Sequence, residues 1–263
     1  FFFKQKTAYE IPKRDWSSDV CSSDLELDHL ISILIDFKIP TIEVSFGYID
    51  SIVPDNIDAN NEEYDNHVIY FTKSLSNYGI SIFRRVRTIK TQQNLNKFFL
   101  SGLCLKGKEA AGLSSEFSLD YLWKKQKELT PTATLIPYGG ISSSNQVKYF
   151  LANGAPVIAV GSRFAFSKES SVSDFAKSKI IKSTSNNITE ISYFNNSNIK
   201  FNSLSFGQKI KNIDDNKNLT LGLYSNKDLG HVYIGKAIDN INSIISVKDV
   251  IYDLLDLEKI QEL

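Results

Sequence analysis

The chain has 263 residues with 30 basic and 30 acidic side chains, and hydrophobic residues make up 42% of it. A formal net charge of zero argues against a nucleic-acid or polybasic membrane surface. No apolar run reaches the roughly 18 residues of a membrane span.

Residues 1–25 do not read as part of a fold. Lys4-Gln5-Lys6-Thr7-Ala8-Tyr9-Glu10-Ile11 is what AAGCAGAAGACGGCATACGAGAT encodes. Trp16-Ser17-Ser18-Asp19-Val20-Cys21-Ser22-Ser23-Asp24-Leu25 is what TGGAGTTCAGACGTGTGCTCTTCCGATCT encodes. Both are constant parts of one short-read library adapter, in the right order and frame, with residues 12–15 spanning its variable index. The segment also lacks the apolar core of a signal peptide. The expectation is a native chain that starts mid-gene at Glu26; setting 25 of 263 residues aside leaves 238, enough for one domain with an appendage. Cys104 is then the one native cysteine, which excludes a disulfide framework and points to a reducing, cytoplasmic setting.

From Glu26 onward, Leu27, Leu30, Ile31, Leu34 and Ile35 mark a helix, and residues 41–46 read as a strand closing at Gly47. Residues 48–66 are polar, either a functional lid or irregular structure. A helix over 68–77, a strand over 80–84 and a helix over 91–100 follow. Residues 102–105 form a third strand, and 119–129 another helix. A strand from Leu135 ends in Gly139-Gly140, and Ser143 or Ser144 can cap the next helix. Val147, Phe150 and Leu151 give that helix its apolar face, and Gly154 ends it. Residues 157–160 are a fifth strand running into Gly161.

Strands alternating with helices at this spacing imply parallel βαβ units in an α/β fold. There are five, and a closed (β/α)₈ TIM barrel needs eight. If the glycine turns mark strands seven and eight, those visible are strands four to eight, and the first three should lie upstream.

Beyond residue 181 the pattern changes. Residues 183–215 are rich in Asn and Ser and read as loops, and 219–224 as a short strand. Gly230 to Lys236 is a glycine-bounded piece. Ser246 and Asp249 propose a capping box for a closing helix with apolar face Val247, Val250, Ile251, Leu254 and Leu255. The expected division is thus 26–182, a partial barrel, and 183–263, a small C-terminal α/β appendage. Asn187-Ile188-Thr189 and Asn195-Asn196-Ser197 match glycosylation sequons by composition alone.

The chemistry centres on the glycine turns. Each turn lets backbone N–H groups approach an anion closely, and a helix N-terminus adds partial positive charge. Either turn alone could need glycine for geometry; two in succession favour a phosphate. Both would serve a sugar phosphate in a barrel without flavin equally well. Trp123 and Cys104 fit core positions, Glu109 a hydrogen bond within its loop. Arg163 suits either a phosphate or a bridge to a neighbouring strand. His29 and His67 read as solvated, while His231 could face the site. No zinc spacing, Walker loop or Ser/His/Asp arrangement occurs.

The stretch Leu105-Lys106-Gly107-Lys108-Glu109-Ala110-Ala111-Gly112-Leu113, with Gly139-Gly140-Ile141 and Gly161-Ser162-Arg163-Phe164, resembles the nitronate monooxygenase family. The resemblance covers residues 26–183 well and continues weakly to the closing helix. It implies an FMN-dependent TIM barrel with a small substrate-side domain, acting on a small molecule, with NAD(P)H as the candidate reductant. The family's Gln-Gly-x-Glu-Ala-Gly-Gly-His falls on Lys106 to Leu113, so Lys106 replaces the glutamine near the flavin, and Ala111 and Gly112 stand for the glycine pair. Gly139 and Gly140, then Val160, Gly161 and Ser162, should hold the FMN. The family's histidine base is Leu113 here, and leucine cannot take a proton, which puts nitronate oxidation in doubt. The pattern looks closer to the relatives that reduce enoyl groups in polyketide and fatty acid assembly. Lys106 could stabilise a reduced flavin or lie along the barrel rim. A flavin- or phosphate-binding barrel without turnover is the reading from another class. Lacking three strands, the fragment alone is expected to be inactive.

Overall fold

The computed structural model describes residues 24–44, 62–192, 200–206, 215–225 and 227–257. Residues 1–23, most of the polar 48–66 stretch and the Asn195 sequon lie outside the described residues.

In chain order the elements are α1 (Asp24–Asp36), β1 (Thr41–Val44), α2 (Glu62–Asn77), β2 (Ser81–Val86), α3 (Gln92–Lys97) and β3 (Gly102–Lys106). There follow β4 (Gly112–Leu113), α4 (Leu119–Leu129), β5 (Thr134–Tyr138), α5 (Ser144–Ala152), α6 (Ser162–Ala165) and α7 (Asp174–Ile181). The chain closes with β6 (Thr189–Ser192), β7 (Lys200–Ser205), α8 (Asp215–Tyr224), β8 (His231–Tyr233) and α9 (Val247–Leu255).

β1, β2, β3 and β5 form one parallel sheet in that order. This is the wall of a (β/α)₈ barrel, each strand followed by a helix. Alternation divides its two faces. Val86, Leu103, Leu105 and Leu135 turn outward into a core shared with Trp123 and Phe150, whose rings meet edge to face at 5.5 Å. On the other face, the same alternation places Arg85, Cys104, Lys106 and Tyr138. The capping residues act as the periodicity requires. Ser143 Oγ accepts from Gln146 N, and Gly154 ends α5 at φ +88°.

The expected fifth strand is reduced to one parallel bridge, Tyr138 with Ala159, where Ala159 N donates to the Pro137 carbonyl at 3.1 Å. Pro137 offers that segment an acceptor but has no N–H to give it, so the ladder thins there.

Two expectations for the C-terminal part are corrected. Residues 183–215 are not all loop: β6 and β7 pair antiparallel within them, and β4 and β8 follow one another along the other edge of β7. Residues 219–224 are not a strand but the end of α8, which lies on β8 so closely that a Cβ on Gly222 would stand 2.0 Å from the His231 carbonyl oxygen. A local alternation of leucines gave way there to tertiary packing.

This antiparallel layer has its own core, containing Leu204, Phe206, Val232 and Ile234. Phe166, Val172 and Ile180 already belong to it, so the packing boundary lies before residue 183. Val250 and Leu254 of α9 return to the barrel core. The capping of α9 is a variant of the expected box: Ser246 Oγ accepts from Asp249 N and donates to its carboxylate at 2.8 Å. Of its expected apolar face, Leu255 stays exposed.

Candidate active site

The C-terminal ends of β3 and β5 bring together the residues that carry chemistry. Lys106 ends β3 level with Tyr138 on β5. Its Nζ lies 5.8 Å from the centroid of the Tyr138 ring, while the Arg85 guanidinium carbon lies 4.9 Å from the same centroid. Cations over an aromatic face are attracted by its quadrupole. Arg85 Nε also donates to Glu43 Oε1 on β1 at 2.7 Å.

Lys106 is only 9% exposed. Burial, reinforced by the neighbouring charges of Arg85 and Arg87 and only partly opposed by Glu43, brings its ammonium down to about 7. Burial raises the Tyr138 phenol, although Arg85 pulls the other way. Burial likewise pushes the Cys104 thiol up to about 12, so it is an inert core group rather than a nucleophile.

The loop from Gly107 to Leu113 is fixed from several sides. Glu109 Oε2 accepts from Leu119 N at 3.0 Å, the structural role its sequence position suggests. Lys236 N donates to the Glu109 carbonyl at 3.0 Å, and Asn202 Nδ2 donates to the carbonyls of Lys108 and Ala110, both at 2.8 Å. Gly112, at φ +62°, and Leu113 then pair as β4 with Asn202 and Phe201. Ala111 sits half-buried between these anchors.

Gly139 and Gly140 pack against this loop. At φ +87° and +79°, a Cβ on them would stand 2.4 Å from Ala110 Cβ and 2.4 Å from Glu109 Cβ respectively. Their lack of side chains is therefore needed for close packing, whatever their N–H groups bind. Gln146 closes the turn, accepting from Ser142 N and Ser143 N and donating to the Gly140 carbonyl.

The last turn differs. Val160 and Ser162 are half-buried, but Gly161 is exposed, with no atom within 4 Å of where its Cβ would stand. It opens α6 without a side-chain cap. Arg163 beside it is buried and structural: Nη1 donates to the Ser142 carbonyl at 2.7 Å and Nη2 pairs with Asp253 at 2.5 Å. Arg163 is thus a bridge, but to the turn after β5 and to α9 rather than to a neighbouring strand.

His231 is 0% exposed on β8, its ring 5.3 Å from that of Tyr233, and so is closed to any substrate. His29 is exposed on α1, and the side chain of His67 lies outside the described residues. Among the described residues, no group of His, Cys, Asp or Glu could hold a metal ion, and no helix is long and apolar enough to cross a membrane.

Sequence reasoning did not single out Tyr138, Gln146, Asn202 or Asp253. Asn202 had no local signal, because its role depends on β7 meeting a loop 92 residues away.

A parallel barrel wall with chemistry-bearing side chains and a glycine turn at its C-terminal end defines a barrel enzyme of the kind that uses that end for its site. The family model for nitronate monooxygenase matches residues 65–256, and the chain belongs to that family of oxidoreductases. Solved structures share the fold. FabK from Thermotoga maritima superposes with a TM-score of 0.68 at 20% identity, covering 89% of this chain and 72% of that one. The nitroalkane oxidase of Streptomyces ansochromogenes gives 0.61 at 14%, covering 88% and 67%. The enoyl reductase domain of MlnA, from the macrolactin cluster of Bacillus amyloliquefaciens, gives 0.58 at 12%, covering 89% and 78%. No curated protein sequence matches significantly.

Proposed function

We propose that the protein is a cytoplasmic, FMN-dependent oxidoreductase that reduces the C=C bond of an enoyl-type thioester with NAD(P)H, rather than deprotonating and oxidising a nitroalkane. The observation that carries this reading is Leu113. It occupies the position of the family's histidine base, its backbone is locked to Phe201, and neither His231 nor His29 is placed to substitute. A neutral nitroalkane must lose a proton from its α-carbon before it can be oxidised as the nitronate, and leucine cannot take that proton. The MlnA domain, named as an enoyl reductase, supports the substrate class only as a fold likeness.

The residues present fit FMN. Gly161 is exposed with open space beside it, so its backbone N–H could be approached closely, and Ser162 adds a hydroxyl. Gly139, Gly140, Ala111 and Gly112 would line the same end through their backbones, and Lys106 would lie near the ring system. When bound, the flavin supplies hydride transfer. The chain's own part is to orient the groups and exclude water. The antiparallel layer, tied to the 107–113 loop by Asn202 and Lys236, would form the substrate side.

Full-length protein should purify with flavin absorbance that NAD(P)H bleaches and an enoyl thioester restores. Bleaching by a nitroalkane or its nitronate, with oxygen rather than an enoyl thioester restoring the colour, would reverse the substrate assignment. Bound flavin that nothing reduces would make the protein a scaffold, and a colourless protein that ignores added FMN would end the flavin reading.

A further inference from the structure

We propose that Lys106 is the proton donor of this reduction, handing a proton from Nζ to the α-carbon of the enoyl substrate. The inference rests on the function proposed above and assigns the chain's own acid to it.

Saturating a C=C bond conjugated to a thioester carbonyl takes one hydride and one proton. The hydride reaches the β-carbon at the expense of NAD(P)H, which is oxidised. The electron pair of the double bond then resides on the α-carbon and carbonyl oxygen until a new C–H bond forms at the α-carbon. Lys106 would break its N–H bond to supply that proton, become a neutral amine, and be reprotonated by water.

The other candidates around the site are disqualified one by one. Leu113 has no proton to give. His231 is fully buried on β8. Cys104 is buried within β3, and the Glu109 carboxylate is engaged by the Leu119 N–H. Arg85 stays charged and is paired with Glu43. Burial raises the Tyr138 phenol further from neutrality, which makes it the weaker acid.

Lys106 remains. Its backbone is the last residue of β3, where barrel sites lie, and no carboxylate forms an ion pair with it among the described residues. The groups facing it are Arg85 and Arg87 from β2 and its following turn, Glu43 from β1 and Tyr138 from β5. Two cations against one anion favour release of its proton. An ammonium brought to about 7 holds and releases a proton readily near neutrality, the condition for efficient acid catalysis.

The first test needs no cofactor. Trace acetylation of native protein across pH, read peptide by peptide in a mass spectrometer, should show Lys106 half-reactive near pH 7. The exposed, ion-paired Lys124 should titrate well above it. A Lys106 that titrates with the surface lysines would overturn the proposal.

The second test compares Lys106→Gln, the residue type of the family pattern, with Lys106→Met, using far-UV circular dichroism as the control for folding. Turnover of a 2-methyl-branched enoyl thioester should fall by about 100-fold or more, the usual contribution of a positioned acid. The saturated product should become racemic at the α-carbon, because water would then protonate both faces. An undiminished rate with a single enantiomer in either folded variant would sink the assignment of Lys106. Absence of enoyl turnover in the wild-type protein would instead sink the parent reading.

Discussion

Replacing Gly140 with alanine should destabilise the protein by about 3 kcal/mol, whereas the same replacement at Gly161 should leave stability almost unchanged. Gly140 sits at φ +79°, where an L side chain carries strain of roughly 1–2 kcal/mol. Its new Cβ would also stand 2.4 Å from Glu109 Cβ and 3.0 Å from the Glu109 carbonyl oxygen, and overpacking of that kind costs about 1–3 kcal/mol. Glu109 cannot easily retreat, since Leu119 N holds its carboxylate and Lys236 N its carbonyl. At Gly161, φ is −114° and no atom lies within 4 Å, so the methyl group meets neither strain nor neighbour. Reduced freedom of the unfolded chain could even add about 0.4–1 kcal/mol. Urea unfolding of both variants measures the stabilities, and quenching of flavin fluorescence measures FMN affinity. Gly161→Ala is expected to lose at least tenfold in affinity, or about 1.4 kcal/mol, because the methyl would stand where the phosphate approaches the backbone. Equal destabilisation by the two substitutions would refute the division into a packing glycine and a ligand glycine. Unchanged FMN affinity in Gly161→Ala would remove that turn from the cofactor site.

Three further outcomes follow from the geometry. Lys106 is less basic in the folded protein, about 7, than its ordinary 10.5, so the unfolded chain binds more protons between those values. Stability should therefore rise from about pH 7 to pH 10.5, the deficit being fully present below pH 7; Lys106→Met should abolish the rise and stabilise the protein at pH 6 by up to ~5 kcal/mol. Urea midpoints at pH 6 and 10 that move alike in both proteins would contradict this. Arg163→Met strands the buried Ser142 carbonyl, a loss of about 1–3 kcal/mol. The exposed side of its pair, Asp253, adds at most ~1 kcal/mol, so Asp253→Asn should be the milder change in a thermal melt. Cys104 should resist iodoacetamide in the native protein at pH 8 and react once unfolded, since burial holds its thiol near 12; equal labelling in both states would show an open β3.

The sequence by itself determined the elements whose signals are local. The helix over Leu119–Leu129 falls where the apolar spacing puts it, α5 is capped by Ser143 and ended by Gly154, and α9 follows Ser246. The order of strands and helices sufficed for a parallel barrel wall, because a βαβ crossover leaves few alternatives. The motif residues sufficed for the family. Tertiary structure decided everything that depends on partners distant in sequence. β7 is poor in strand-forming residues, yet it pairs on both edges. Leu219, Leu221 and Leu223 alternate like a strand, yet Gly222 lets that segment lie as a helix on β8. The glycines at 139 and 140 read like those at 161, and only the position of Glu109 and Ala110 separates packing from openness. The low basicity of Lys106 is likewise absent from its sequence neighbourhood. It arises because burial strips water from the ammonium while β2 and its following turn bring two arginines beside β3, and both effects exist only once the sheet has formed.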